Sequence, residues 1–310
     1  MCDIRCVFLT FCCGVFLTIH PPPLPINFLI HPKYSVGVIT SYDDIDERDY
    51  DDPNCNSRYV DDYYANYRAK EEATSTRPGY MDDGTQPSIN HRMRAILVDW
   101  LIEVHLKFRL APETLYLTVN IIDRYLNKKM VSRPRLQLVG VVAFMIATKY
   151  EEVYPPEIRD LVYICDNSYS KLELLDMEEF ILKELNYNVT VPSAHAFLIR
   201  YLKAGHADEK IVRVACYILD GTLTSYKMLK YLPSQLAAAA VFIARHHTER
   251  RNWSPTLQHY TQYTEEEIKP IAREVLAAKA ATPASLKSVR LKYEEERFGR
   301  IANEEILSDF

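Results

Sequence analysis

Histidine and cysteine are the residues of this 310-residue chain whose spacing could indicate catalysis or metal binding. The nine histidines form no His-Glu-x-x-His pattern, and His246 and His247 are adjacent, so they point to different faces of a helix. The seven cysteines include no Cys-x-x-Cys pair for zinc or redox chemistry, and no Gly-x-Ser-x-Gly turn is present for a serine nucleophile. The sequence therefore predicts that the protein is not an enzyme and has no metal site and no cofactor.

Glycine is scarce, at 8 residues, whereas phosphate-binding loops are rich in glycine. There is no Gly-x-Gly-x-x-Gly. The one Gly-x-x-x-x-Gly pair, Gly79 to Gly84, lacks the following Lys and Ser or Thr and encloses Asp82 and Asp83, whose carboxylates would repel a phosphate. Scarce glycine also disfavours tight turns, and so favours long helices over a β-rich fold.

Composition narrows the class of protein further. A formal net charge of −5 provides no basic excess for non-specific binding to nucleic acid. Apolar residues make up 48% and charged residues 25%, which is typical of a globular chain, and the length allows two domains. An odd number of cysteines gives no disulfide framework, so the body of the chain is expected to be reduced and intracellular.

Helical periodicity runs through residues 88–300 without the sustained alternation of a strand. Prolines at first helical positions predict helices over 112–128 and 134–149. Another helix is predicted over 170–186, and Thr282 before Pro283 predicts the start of a last one. Capping boxes are predicted at two helix starts, formed by Ser170 with Glu173 and by Thr264 with Glu267. The body is therefore expected to be all-α.

Two short apolar runs indicate an internal repeat. Gln137-Leu138 at the start of the run 138–147 recurs as Gln235-Leu236 at the start of the run 236–244. A helix that is apolar on every face must be surrounded by other helices, so each run is predicted to be the central helix of its own bundle. Chance similarity between two buried helices is the alternative.

The sequence divides into five segments on this basis. The first, 1–42, is hydrophobic and Pro-rich, and its uncharged run is too short to span a bilayer. A signal peptide or anchor, a buried appendage and a wrongly assigned start of the chain are the three interpretations. The others are an acidic linker with a tyrosine-rich helix at 43–87, two helical repeats at 88–191 and 192–300, and a tail at 301–310.

The acidic cluster within 43–87 is expected to be a solvated linker. After it, Tyr59, Tyr63 and Tyr67 recur at helical spacing and predict a helix over 57–72. Their aromatic stripe needs a surface to cover, either on this protein or on a partner.

Several polar side chains fall within apolar helices. Arg94 and Asp123 are each flanked by apolar residues, and because a lone buried charge is costly, we predict that they form an ion pair with a structural role. Spacing alone makes Lys149 and Glu178 ordinary surface charges. A stripe at i, i+3, i+4 and i+7 is typical of a core face, although part of it could remain exposed as a peptide groove: Met93, Ile96, Leu97 and Trp100.

The segment 93–101, MRAILVDWL, and the segment 148–156, TKYEEVYPP, resemble the cyclin box, and the similarity extends through both repeats to about residue 300. The segments 231–234 and 253–257, and the linker 44–54, resemble B-type, mitotic cyclins in particular. This resemblance implies two tandem five-helix cyclin folds preceded by an N-terminal helix, no catalytic activity, and a cyclin-dependent protein kinase as partner.

The resemblance also assigns roles to residues. The kinase contact is assigned to Lys149, Glu178, Tyr187, Glu151 and Glu152. The family usually has Phe at the position of Tyr187. The tyrosine keeps the ring and adds a hydroxyl group. A groove that docks substrates and inhibitors through a basic residue and a spaced leucine is assigned to Met93, Ile96, Trp100, Glu103, Leu136 and Gln137. Glu103 would attract the basic residue, and Leu97 would stay with the core. Arg94 and Asp123 match the family's buried ion pair.

The implied function is allosteric activation of the kinase and recruitment of substrates at the G2/M transition, in the nucleus and cytoplasm. No Arg-x-x-Leu destruction signal precedes residue 90, which departs from the family pattern. Two alternatives remain: a DNA-binding transcription factor with the same double fold, and a membrane-tethered helical adaptor that uses residues 1–40.

Overall fold

The computed structural model describes residues 42–53, 55–307 and 310, so the predictions for the hydrophobic N-terminal segment lie outside the described residues. The described residues form helices, turns and loops and contain no strand. The predicted all-α fold is confirmed. No helix among them is both long enough and apolar enough to cross a membrane.

Helix α1 (Ser57–Thr74) precedes two bundles of five helices each. The first repeat comprises α2 (His91–Phe108), α3 (Pro112–Lys128), α4 (Leu136–Glu151), α5 (Ile158–Ile164) and α6 (Lys171–Glu184). The second comprises α7 (Ala194–Ala204), α8 (Glu209–Thr222), α9 (Pro233–His247), α10 (Pro255–Thr261) and α11 (Glu265–Ala280). A last helix, α12 (Ser288–Glu294), and a 3-10 turn between α8 and α9, Tyr226–Lys230, complete the elements used below.

The two apolar runs are the central helices of their bundles, as predicted. Helix α4 contacts α2, α3, α5 and α6, and α9 contacts α7, α8 and α11. Residues 138–148 of α4 and 237–244 of α9 are all buried. Gly140 permits the closest approach, since a Cβ there would lie 2.6 Å from Leu97 Cδ1 of α2.

Local start signals place most helices correctly. Pro112 is the first residue of α3, and both capping boxes are present, at Ser170 and at Thr264. The predicted last helix is wrong at its start: α12 begins at Ser288, not after Thr282. The reason is tertiary, because the Asp99 carboxylate of α2 accepts hydrogen bonds from the Ser288 backbone N–H at 3.0 Å and from its hydroxyl at 2.9 Å.

The prediction that the acidic segment is a solvated linker is wrong where the segment meets the second repeat. Asp46 is only 6% exposed and accepts hydrogen bonds from Arg200 at 2.7 Å and Lys203 at 2.5 Å, both on α7. Tyr42 stacks on His259 of α10, with ring centroids 3.5 Å apart. Cations presented by a distant helix hold the segment, and its own composition gives no sign of them.

Buried charges join the two repeats. Arg94 donates to both carboxylate oxygens of Asp123 at 2.6 Å and to the Leu223 carbonyl of the second repeat at 2.9 Å. Asp220 of α8 accepts from the Tyr116 hydroxyl of α3 at 2.6 Å, and from Lys292 on α12 at 2.8 Å. Each group is satisfied across the boundary, so the repeats form one packed unit.

A second connection pairs His195 of α7 with Glu113 of α3, whose Nδ1 and Oε1 atoms are 2.9 Å apart. Burial alone would disfavour the imidazolium, but the Glu113 carboxylate beside it outweighs burial and raises the pKa of His195 to about 10. This ion pair therefore adds stability below the ordinary histidine pKa and loses it as the pH rises through about 10.

Replacing Asp123 by Ala should lower the free energy of unfolding by about 3–5 kcal/mol, because it leaves the buried Arg94 guanidinium without its counter-ion. Urea unfolding followed by circular dichroism measures the change. The double variant Arg94→Met, Asp123→Leu removes both charges and should cost less than the single change. A single variant as stable as the unchanged protein would contradict a structural role for the pair.

Candidate functional site

Lys149 and Glu178 meet at the surface of the first repeat. The Lys149 ammonium lies 2.6 Å and 2.8 Å from the two carboxylate oxygens of Glu178. Lys149 occupies the last turn of α4, where a cation suits the negative end of the helix dipole, and Glu178 lies on α6. The Lys149 side chain is 49% exposed, so the pair is accessible to another protein.

Exposed apolar side chains occupy the same helices and their adjoining loops. Tyr187 and Phe180 are each 63% exposed. The others are Val153 and Tyr154 after α4, and Leu172 and Leu175 on α6. Such a concentration of uncovered apolar residues is typical of a protein–protein interface.

The position of Tyr187 depends on an uncommon backbone conformation. Asn186 and Tyr187 follow α6 with φ angles of 51° and 55°, in the left-handed region that non-glycine residues rarely adopt. A hydrogen bond of 2.8 Å from the Tyr187 N–H to the Leu182 carbonyl holds the turn. The turn directs the tyrosine ring outward from the end of α6.

Phe180, Val153 and Tyr154 were not among the residues that the sequence analysis assigned to this surface. The buried residues of α6 are Leu174, Met177 and Ile181, a stripe that excludes Phe180. That spacing was the available signal, because an aromatic residue off the buried stripe of a helix must face solvent or a partner.

The two glutamates after Lys149 differ in their surroundings. Glu152 accepts hydrogen bonds from the Ala111 N–H at 2.8 Å and the Thr114 hydroxyl at 2.5 Å, so it caps the start of α3. Glu151 is half-buried, and burial, together with the Glu113 and Glu152 carboxylates, raises its pKa to about 7. Glu152 is thus held within the repeat by the start of α3, and its part in the predicted kinase contact stays a prediction.

Helix α1 lies beside this surface. Tyr64 and Tyr67 pack on Phe197 of α7, with ring centroids 6.1 Å and 6.2 Å away. Burial first, and then the Glu151 carboxylate at the end of α4, raise the pKa of Tyr67. Tyr59 and Tyr63 are 60% and 40% exposed, so only part of the tyrosine stripe is covered by this chain.

The predicted docking stripe lies on α2. Ile96 is 51% exposed, whereas Met93 and Trp100 are half-buried against the core of the first repeat. Glu103, one turn further along, is exposed, and Leu97 is buried, as predicted. Of the two α4 residues assigned to the groove, Gln137 is half-buried and Leu136 is only 6% exposed. Leu136 can therefore contribute only to the floor of the predicted groove.

The described part of the chain contains no group of three or more His, Cys, Asp or Glu side chains placed to hold a metal ion. The surface itself presents the Lys149–Glu178 ion pair, several exposed aromatic rings and an adjacent apolar stripe.

Comparison with known proteins identifies the chain's relatives. The model of the cyclin N-terminal domain matches residues 62–190, and that of the cyclin C-terminal domain matches residues 192–307. Cyclin-B2-1 of Oryza sativa subsp. japonica is 44% identical over 264 residues, covering 84% of this chain and 62% of the relative. G2/mitotic-specific cyclin-B2 of Anguilla japonica is 43% identical, covering 85% of this chain and 67% of the relative. The chain thus spans about three fifths of the rice protein's length.

Solved structures share the fold. A viral cyclin from herpesvirus saimiri superposes with a TM-score of 0.61 at 22% identity, covering 72% of this chain and 97% of that one. A chain of the yeast RNA polymerase II CTD kinase CTDK-1 complex superposes with a TM-score of 0.55 at 13% identity, covering 72% of this chain and 84% of that one.

Replacing Glu151 by Gln should raise the melting temperature more at pH 8 than at pH 5. The pKa of Glu151 in the folded protein, about 7, exceeds its ordinary value of 4.5, so ionisation destabilises the fold increasingly from pH 4.5 to 7. A gain of several degrees is expected at pH 8. Glu103→Gln, at an exposed position, is the control. Equal gains in melting temperature at both pH values for Glu151→Gln would contradict the raised pKa of Glu151.

Proposed function

The chain belongs to the cyclin family, with B-type cyclins as its relatives, and from that premise we propose that it is a non-catalytic subunit that binds and allosterically activates a cyclin-dependent protein kinase. The partly exposed Lys149–Glu178 ion pair, set among exposed aromatic residues, carries this proposal. A charged pair of fixed geometry can orient polar groups of a partner, while the surrounding rings supply apolar contact area.

Activation requires that the partner's active arrangement is bound more tightly than its inactive one. In a protein kinase, that arrangement pairs the β3 lysine with the αC glutamate and orders the activation loop. Moving the equilibrium from 1:99 to 99:1 takes about 5.5 kcal/mol of differential binding. One partly exposed ion pair cannot supply this amount. The proposed interface therefore includes Tyr187, Phe180 and the uncovered tyrosines of α1.

The double variant Lys149→Ala, Glu178→Ala should weaken activation of a cyclin-dependent kinase at least about tenfold, a loss of about 1.4 kcal/mol or more in binding. Titration of a cyclin-free kinase with each variant, read out by phosphorylation of a peptide substrate, measures the change. Circular dichroism melting verifies that the fold is retained.

A matched control lies on the same helix. Lys183 and Glu179 form an exposed ion pair one turn apart on α6. The variant Lys183→Ala, Glu179→Ala should activate the kinase nearly normally. Full activation by the Lys149 and Glu178 variant, or an equal loss in the control, would refute the proposed contact.

We further propose that the α2 stripe docks substrates and inhibitors that carry a basic residue and a spaced leucine. Ile96 is half exposed between Met93 and Trp100, which gives an apolar side chain a place to bind. The exposed carboxylate of Glu103 lies where it would attract a basic residue. Cell-cycle control at G2/M, in the nucleus and cytoplasm, belongs to the same proposal. The G2/M part of this proposal is supported by relatives named G2/mitotic-specific cyclins.

The variant Met93→Ala, Trp100→Ala should raise KM for substrates that carry a docking segment by about tenfold and leave kcat unchanged, because it removes contacts made equally in the ground and transition states. A substrate with the same phosphorylation site but no docking segment is the internal control. Unchanged KM for the docking substrate, or a loss shared by both substrates, would contradict the proposed groove.

A further inference from the structure

A cleft of 840 Å³ lies between the two repeats, next to the docking stripe. Its walls come from the N-terminal turn of α2, the turn Tyr226–Lys230, and the end of α11 with the loop that follows it. The apolar part of the lining includes Ala95, Ile96, Met228, Ala277, Ala278 and Leu286. We call this the inter-repeat cleft. Its lining offers room and apolar contact for a side chain of another molecule.

The charges of the inter-repeat cleft are unbalanced. Its two carboxylates each have a partner: Asp82 lies 2.8 Å from the His91 imidazole, which is a cation only when protonated, and Glu274 pairs with Lys230 at 2.6 Å. Arg92 and Lys227 are exposed and form no ion pair with the residues that the structure describes. Three cations, Arg92, Lys227 and Lys230, stand against two carboxylates in this lining, and such an excess of positive charge in a chain of net charge −5 favours an acidic ligand.

The inter-repeat cleft is continuous with the docking stripe, because Ile96 belongs to both. Along α2, Glu103 lies toward the C-terminal end, whereas Arg92 and Ala95 lie in the first turns. A docked segment whose basic residue is near Glu103 and whose leucine lies over Ile96 therefore continues toward the inter-repeat cleft.

We propose that the inter-repeat cleft binds an acidic stretch with one apolar residue, located beyond the leucine of a docking segment in the same substrate or inhibitor. This inference rests on the proposed docking function and adds a determinant of substrate choice to it. The apolar residue occupies the cleft, and carboxylates of the stretch face Arg92 and Lys227. The inter-repeat cleft discriminates among docking segments by the charge of the stretch that follows their leucine.

Four fluorescein-labelled peptides test the inference by anisotropy at two salt concentrations, using the full chain. The first is a core peptide with the basic residue and spaced leucine. The second and third add an Asp-Leu-Glu or an Asn-Leu-Gln extension beyond the leucine. The fourth has Asp-Leu-Glu before the basic residue. The acidic extension beyond the leucine should tighten binding about three- to tenfold over the core peptide, and less at high salt.

Variants separate the inter-repeat cleft from the stripe. Arg92→Ser, Lys227→Ser should remove the gain and leave binding of the core peptide unchanged. Lys171→Ser, an exposed lysine on α6, is the matched control and should retain the gain. In Arg92→Glu, Lys227→Glu, a Lys-Leu-Lys extension should bind more tightly than the acidic one.

The outcomes distinguish the two proposals. If the core peptide binds but the acidic extension gives no gain, or the same gain on either side, the inter-repeat cleft inference is overturned and docking stands. If the core peptide fails to bind, docking on the stripe is refuted, and the acidic stretch is then titrated alone. If the acidic stretch binds the unchanged protein and this binding is lost in Arg92→Ser, Lys227→Ser, the inter-repeat cleft is upheld as a separate site. If the acidic stretch does not bind the unchanged protein, the inter-repeat cleft inference is overturned.

Discussion

The packing of α4 at the centre of the first repeat is the constraint on which both proposed surfaces depend. Because α4 is apolar on every side, it must be surrounded, and Gly140 brings α2 close enough for Leu97 to pack directly on it. The start of α4 then lies by the docking stripe on α2, and its end presents Lys149 beside α6. One buried helix thus fixes the distance between the place where a kinase would bind and the place where a substrate would dock.

The second repeat acts as a platform for the N-terminal part of the chain. Arg200 of α7 holds Asp46 and also lies 3.1 Å from Asp61 of α1, so one buried cation fixes the acidic segment and the helix together. Tyr64 and Tyr67 pack on the same helix α7. Charge pairs and aromatic packing therefore hold α1 beside the end of α4, where its uncovered tyrosines extend the candidate kinase surface.

Three neighbouring residues at the end of α4 have different roles in the structure. Within the run after α4, Lys149 faces outward to Glu178, Glu152 turns inward to cap α3, and Glu151 is left half-buried among carboxylates. A helix end has four free carbonyls and a change of chain direction, so neighbouring side chains there point to different environments. The resemblance assigns all three residues to the kinase contact, and in this chain each of them has different neighbours.

Sequence patterns locate several of the helices and indicate that Arg94 and Asp123 are buried. Periodicity, first-turn prolines and capping boxes act within a turn or two of the chain, so α3, α4, α6 and α11 could be located from it, and the burial of Arg94 and Asp123 followed from their apolar neighbours. The start of α12, the burial of Asp46 and the inter-repeat cleft, in contrast, follow from the tertiary packing. Each of these depends on atoms contributed by residues far away in the chain, such as Asp99 for Ser288 or Arg200 for Asp46. Local patterns carry no record of such partners, because burial and charge compensation are properties of the packed surfaces and not of a single segment.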